Sequence, residues 1–189
     1  YILLSMSIWL FFAGFFKHLA TAVTESGRML LEAPFDMEAK LVEKILLGII
    51  SFLIPLALNI IILLVLGVHF QWSALLFIPT LIPLMLIGIS IGVFFSLIEI
   101  VFNDIYLVVN QGMNVLMFLT PVVYTNNVDS PLLQTVIKYN PLTYLISIPR
   151  NYLVGAPVED WQGYWISAIL ALVLFIAVIH FFLTLSIKL

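Results

Sequence analysis

"LVEKILLGIISFLIPLALNIIILLVLG", from Leu41 to Gly67, carries one acid and one base, Glu43 and Lys44, both near its start. Beyond them only Ser51 and Asn59 bear polar side chains. A helix needs about 20 mainly apolar residues to cross a bilayer. Backbone N–H and C=O groups in hydrocarbon must pair within their own segment, so such a run reads as an α-helix. The fold class that follows is an all-α integral membrane protein, a polytopic helical bundle.

Working outward, four more stretches have this character: Tyr1 to Val23, Ser73 to Phe102, Ile105 to Thr125 and Gly163 to Ile187. Five spans are therefore predicted, forming one transmembrane domain over residues 1–189. The composition agrees. The chain is 63% hydrophobic and 9% charged, against about 25% charged in soluble domains, and its mean hydropathy is +1.22. Tyr1 opens inside an apolar run with no basic leader before it, so the chain is read as a piece of a longer product and not as starting with a signal peptide.

Several function classes drop out. The formal charge is −3 and no basic stripe occurs, which argues against nucleic acid. There is no cysteine, hence no disulfide, thiolate metal site or cysteine nucleophile. His18, His69 and His180 do not share metal-ligand spacing. No G-x-x-x-x-G-K-[ST] run is present, so this chain holds no ATP by a P-loop.

The connections differ in kind. Thr24 to Lys40, "TESGRMLLEAPFDMEAK", is charged and amphipathic. Ser26 suits an N-cap, Arg28 and Glu32 share a face, and Pro34 ends the pattern. A helix of this kind either docks in a groove of a cytoplasmic partner or rests on the membrane surface. Phe102 to Asp104 is a minimal turn. Asn126 to Gln162 is long and half apolar, and Asn140-Pro141 splits it into two short apolar helices. With Tyr139, Tyr144 and Tyr152 at headgroup level, the pair reads as a re-entrant lid or as an interfacial anchor. Arg150 is expected to meet a phosphate or a carboxylate there. Lys17, Arg28, Lys40, Lys44 and Lys188 gather on one side and only Lys138 and Arg150 on the other, which places the long segment outside.

Within the fourth span Tyr106, Asn110 and Asn114 recur every four residues, with Gln111 beside them. Amides are costly in hydrocarbon, so this face is expected to look at a path, at another subunit, or at a neighbouring helix through ordinary hydrogen bonds. Glu99 needs a partner or water, and Asp104 suits an N-cap. "GISIG" at 88–92 matches a hydrolase motif by letters, but it lies inside a span and reads as a small-residue packing stripe.

In order along the chain, "IWLFFAGFF", the charged loop after it, "VFNDIYLVVNQGMNVLMFLTPVVYT" and "YNPLTYLISIPRNYLVG" resemble the membrane subunit of ATP-binding-cassette exporters for polysaccharides, the family that moves O-antigen, lipopolysaccharide, capsule or teichoic acid chains. The resemblance covers essentially the whole chain. It implies six spans, the first of them missing here, and a bacterial cytoplasmic membrane. It implies a homodimer of permeases joined to two ATPase subunits, which hold the ATP and Mg, with no cofactor and no catalysis on this chain. The cargo would be a lipid-linked polysaccharide, with membrane lipids around it. Glu25, Arg28, Leu31, Glu32 and Phe35, with Asn103 and Asp104, would couple to the ATPase. Trp9, Phe94, Tyr106, Asn110, Gln111, Asn114 and Tyr124 would line the path. Pro121, Asn140, Pro141, Tyr144 and Arg150 would shape the external re-entrant segment. The family usually has Phe-Arg-Asp where this chain has Phe102-Asn103-Asp104, and Lys then Phe-Pro where it has "EAPFD". These departures leave open a drug- or glycolipid-exporting relative. An ion-coupled transporter titrating Glu99 or Asp104 is the other alternative.

Overall fold

The computed structural model describes residues 1–22, 37–68, 70–99, 101–102, 105–122, 124, 130–158 and 160–186. Every regular element among them is helical. We number them α1 (Ile2–Ala20), α2 (Met37–Val65), α3 (Phe77–Glu99), α4 (Ile105–Leu119), α5 (Pro131–Tyr139), α6 (Pro141–Val154) and α7 (Trp161–Ser186), with a 3₁₀ turn at Trp72–Leu76 before α3. Four segments are long and apolar enough to cross a membrane: Ile2–Ala20, Ala39–Val65, Trp72–Glu99 and Trp161–Thr184. That fits a membrane protein.

The fourth expected span is shorter than its apolar run. α4 has 15 residues, about 22 Å of helix at about 1.5 Å per residue, against about 30 Å of hydrocarbon. The helix stops at Leu119 because Pro121 disfavours helical backbone at Thr120 and has no N–H to continue the ladder. α2 in turn begins at Met37, earlier than the sequence boundary, so Met37–Lys40 is helix and not loop. There Lys40 donates to both Glu43 carboxylate oxygens, at 3.1 and 2.9 Å, on the following turn.

The core sits around α1. Leu4, Ile8, Phe12, Phe15, Phe16 and Leu19 are buried, and apolar residues lie on nearly every side of the helix, as suits an element enclosed by others. α1 packs on α2 and α3, and α3 packs in turn on α7 and α6. Glycines let the seams close. A Cβ built on Gly92 would come within 2.7 Å of Leu19 Cβ and 3.1 Å of the Phe15 carbonyl oxygen, and one on Gly88 within 3.0 Å of the Phe12 oxygen. This is the "GISIG" stretch. Its Ser90 is buried and donates to Leu86 O at 2.6 Å, while His180 lies exposed on α7.

The outer helices bury one stripe each. α2 turns Leu41, Gly48, Phe52 and Asn59 inward, and α7 turns Tyr164, Ser167, Ala171 and Phe182 inward. Their other faces are exposed Leu, Ile and Val, the pattern of helices that meet lipid on one side. α5 and α6 part at Asn140, as the Asn140-Pro141 pair predicts. Asn140 Oδ1 accepts from Leu142 N at 3.0 Å and so caps α6, with Pro141 at the first helical position. α6 ends at Gly155, whose left-handed φ of 68° a side chain would strain.

Candidate functional site

Among the described residues, three polar arrangements in the apolar interior bear on the expected site. The first joins α6 to α1. Arg150 is 2% exposed. Its Nη1 donates to Ser5 Oγ at 3.0 Å, its Nε donates to Asn151 Oδ1 at 3.3 Å, and its guanidinium carbon lies 3.7 Å from the centre of the Tyr1 ring. Burial lowers its pKa from the ordinary value, with Tyr1 acting in the opposite sense, and the guanidinium stays charged. The expectation that Arg150 meets a phosphate or carboxylate at the surface is thus corrected. The side chain turns inward because α6 is buried on most sides, and a cation there survives only with donors satisfied and a ring face beside it.

The second joins α2 to α1. Asn59 Nδ2 donates to Ser7 Oγ at 2.6 Å and to Pro55 O at 2.8 Å. The sequence reading noted Asn59 without assigning it a partner and passed over Ser7. A lone amide inside the apolar run Leu56–Val65 was the available signal, since amides in hydrocarbon seek a partner helix.

The third ties the end of α4 to the break between α5 and α6. Asn140 Nδ2 donates to Thr120 Oγ1 at 2.9 Å and to Leu119 O at 3.4 Å. Pro121 is buried beside this junction. Asn140 and Pro141 thus fix chain geometry, with the Asn140 amide committed at both ends. Tyr144 closes the α5–α6 turn by donating to Lys138 O at 2.7 Å. Its ring lies over Gly163, where a Cβ would approach to 2.5 Å. Burial, then the nearby Asp160 carboxylate, raises the Tyr144 pKa, so the phenol keeps its proton as a donor.

The residues expected along a path do not converge within one chain. Trp9 is 4% exposed and meets Phe12 edge-to-face at 5.2 Å, so it belongs to the α1 core. An indole on an enclosed helix has no open side to offer. Tyr106 stacks parallel to Phe16 at 6.4 Å. Phe94 is exposed on α3 and edges against Phe95. Tyr124 donates to Phe118 O at 3.0 Å.

The amide face of α4 is different. Asn110 is half-buried, while Gln111 and Asn114 are exposed and hydrogen-bonded to each other at 3.3 Å, with Asn114 donating to Gln111 Oε1. α4 buries only Met113 among its 15 residues. It therefore presents two amides and several large apolar side chains, Leu107, Val108, Val115 and Phe118, to whatever surrounds the chain. Among the path residues, those on α4 alone form an outward polar face. The coupling positions Glu25, Arg28, Leu31, Glu32 and Phe35, and Asn103 and Asp104, lie outside the described residues. Compared with known proteins, the chain matches no family model and no curated sequence.

Proposed function

We propose that this chain is the membrane permease subunit of an ATP-driven exporter that moves lipid-linked polysaccharide across a bacterial cytoplasmic membrane. The observation that carries the reading is the exposed Gln111–Asn114 pair on α4, an apolar helix that buries almost nothing of its own chain. Amides facing lipid are costly, so this face calls for a second subunit or a hydrated path. In the proposed assembly two permeases meet along it, and the cargo passes beside the amides. In this reading α4 is a fifth, shorter membrane helix beside the four long ones, and α5–α6 are the re-entrant pair at the outer mouth. With no P-loop in the sequence, ATP and Mg belong to two separate ATPase subunits, coupled through the 24–40 segment and the Asn103–Asp104 turn. ATP binding there would shift the permeases between two states as near-rigid bodies.

The test is a tagged purification of the full-length protein in mild detergent, with its companions identified by mass. A stoichiometric partner with a P-loop is the expected result, and intracellular build-up of lipid-linked polysaccharide on deletion identifies the cargo. A clean preparation without an ATPase overturns the reading. A P-loop partner with no effect on polysaccharide keeps the exporter and changes its cargo to a drug or glycolipid.

A further inference from the structure

The end of α6, the head of α7 and the 3₁₀ turn before α3 meet at one rim of the bundle. A Cβ built on Gly155, which closes α6, would come within 3.3 Å of the Gln71 side chain. The Tyr152 and Trp161 rings lie 5.9 Å apart. Trp72, Trp161 and Trp165 are exposed at this rim, and exposed tryptophans mark the boundary between headgroups and acyl chains. α6 starts well inside it. Asn140 and Pro141 share a hollow with Leu170 of α7, which lies about 13 Å along that helix from Trp161. Tyr144, one turn into α6, reaches back to put its ring over Gly163 near the rim. Between these two markers Asn140 sits about 10 Å inside the rim.

α4 gives the same depth by a separate route. Asn140 holds Thr120 Oγ1 and Leu119 O at the end of α4. At about 22 Å, that helix falls about 8 Å short of about 30 Å of hydrocarbon, which matches the recess at Asn140. Polar side chains occupy this recessed level. On α5, Gln134, Thr135 and Lys138 share one exposed sector, while Ile137 turns into the chain. Lys138 is the deepest of them and makes no ion pair among the described residues. Its backbone is fixed there, because Lys138 O accepts from Tyr144 Oη at 2.7 Å. An ammonium group among acyl chains is costly, and a lysine stem lifts it only part of the way.

We propose that the headgroup layer dips about 10 Å toward the bilayer centre along α4 and α5, so that Lys138 meets glycerophospholipid phosphate and water and not acyl chains. Two effects act in the same direction. A membrane helix shorter than the hydrocarbon thins the bilayer beside it, and pairing of the ammonium with phosphate draws headgroups down. The exposed apolar side of α5, with Leu132 and Tyr139, then meets the acyl chains at the edge of the dip, as in a helix lying in an interface. A second copy of this chain is the poorer cover, because lysine is depleted in the cores of protein interfaces. α3 and α7 belong to segments long enough to cross a membrane, so the bilayer keeps its full thickness on their side. The proposal rests on the membrane reading and not on the exporter reading.

The test places single nitroxide labels on the full-length protein in phosphatidylglycerol–phosphatidylethanolamine nanodiscs. Their collisions are measured with oxygen, which partitions into acyl chains, and with nickel-EDDA, which stays in water. Thr135→Cys and Lys138→Cys carry the labels on α5. Ile169→Cys carries the reference label, exposed on α7 about 12 Å from Trp161. The expected result is a nickel-to-oxygen collision ratio several-fold higher at both α5 sites than at the reference. A ratio on α5 as low as the reference puts acyl chains against α5 and overturns the proposal. Labels on α5 shielded from both agents mean that protein covers it, which overturns the proposal as well. A reference ratio as high as that on α5 removes the dip, because all of that level then lies outside the hydrocarbon. Thr135→Cys keeps the lysine and is read alone should Lys138→Cys fail to fold.

Discussion

α1 and α4 are both apolar helices, yet α1 buries 12 of its 19 residues and leaves one exposed stripe through Leu3, Leu10 and Lys17, while α4 buries only Met113. Hydrophobicity does not separate them, because in a membrane an apolar surface has no reason to leave lipid. What separates them is shape and polar pairing. α1 has glycines on its neighbours at the crossing points, Gly48 on α2 and Gly88 and Gly92 on α3, so backbones come close enough for aromatic rings to interlock. It also has Ser5 and Ser7, which receive Arg150 and Asn59 from α6 and α2. α4 has Gly112, but a Cβ there would meet nothing within 4 Å, and its amides bond to each other. One helix finds most of its partners within the chain; the other does not.

The same substitution in the two regions breaks or sharpens that contrast most sharply. Gly92→Ala pushes a methyl group into Leu19 Cβ and the Phe15 carbonyl, neither of which is the free end of a flexible side chain. It should destabilise the protein by about 1–3 kcal/mol, as overpacking does. Gly112→Ala meets open space and removes a residue of poor helix propensity, so it should be neutral or stabilise by up to about 1 kcal/mol. Thermal denaturation of the two variants in detergent reads both. Equal losses would mean that the α4 surface is as tightly packed as the α1 seam.

The polar clasp between α6 and α1 carries the larger single loss of stability. Arg150→Ala removes the donor to Ser5 and the cation over Tyr1, and leaves a hole where a fully buried side chain stood. A loss of about 2–4 kcal/mol is expected, in the range of large-to-small changes in cores. Arg150→Lys keeps the charge but not the planar fork, and should recover only part of the loss. Proteolysis within the 130–158 segment checks it: Arg150→Ala should be cut faster than wild type. Full stability in that variant would return Arg150 to the surface role its sequence position suggests.

Much of the fold was legible because long apolar runs leave the backbone one choice. The helix break at Asn140-Pro141 was legible for an equally local reason, a cap residue followed by proline. Less was visible where the answer depended on a second helix. Arg150 reads as an interfacial cation until Ser5 and Tyr1 are placed beside it. Trp9 reads as a residue open to cargo until α2 and α3 enclose its helix. The end of α4 was missed because the apolar run continues past Leu119 while the backbone, facing Pro121, does not. The four-residue spacing on α4 gave a shared face, but nothing in the spacing says whether that face meets its own chain.

The smallest effect on stability is expected where the effect on assembly is largest. Replacing Gln111 and Asn114 together with leucine removes one exposed hydrogen bond of 3.3 Å and substitutes apolar groups of similar bulk. Interhelical hydrogen bonds in membrane helices average about 0.6 kcal/mol. The isolated chain should therefore melt within about 0.5–1 kcal/mol of wild type, or slightly higher. If α4 is the unfinished face, the same double change should reduce the dimer fraction in nanodiscs and abolish export, because two amides that paired across subunits or with a hydrated cargo are gone. Single-molecule photobleaching counts the subunits, and an export assay in cells reads the function. Unchanged assembly and export would show that α4 faces lipid with its amides satisfied only by each other, which removes both the contrast between α1 and α4 and the main support for a path at this face.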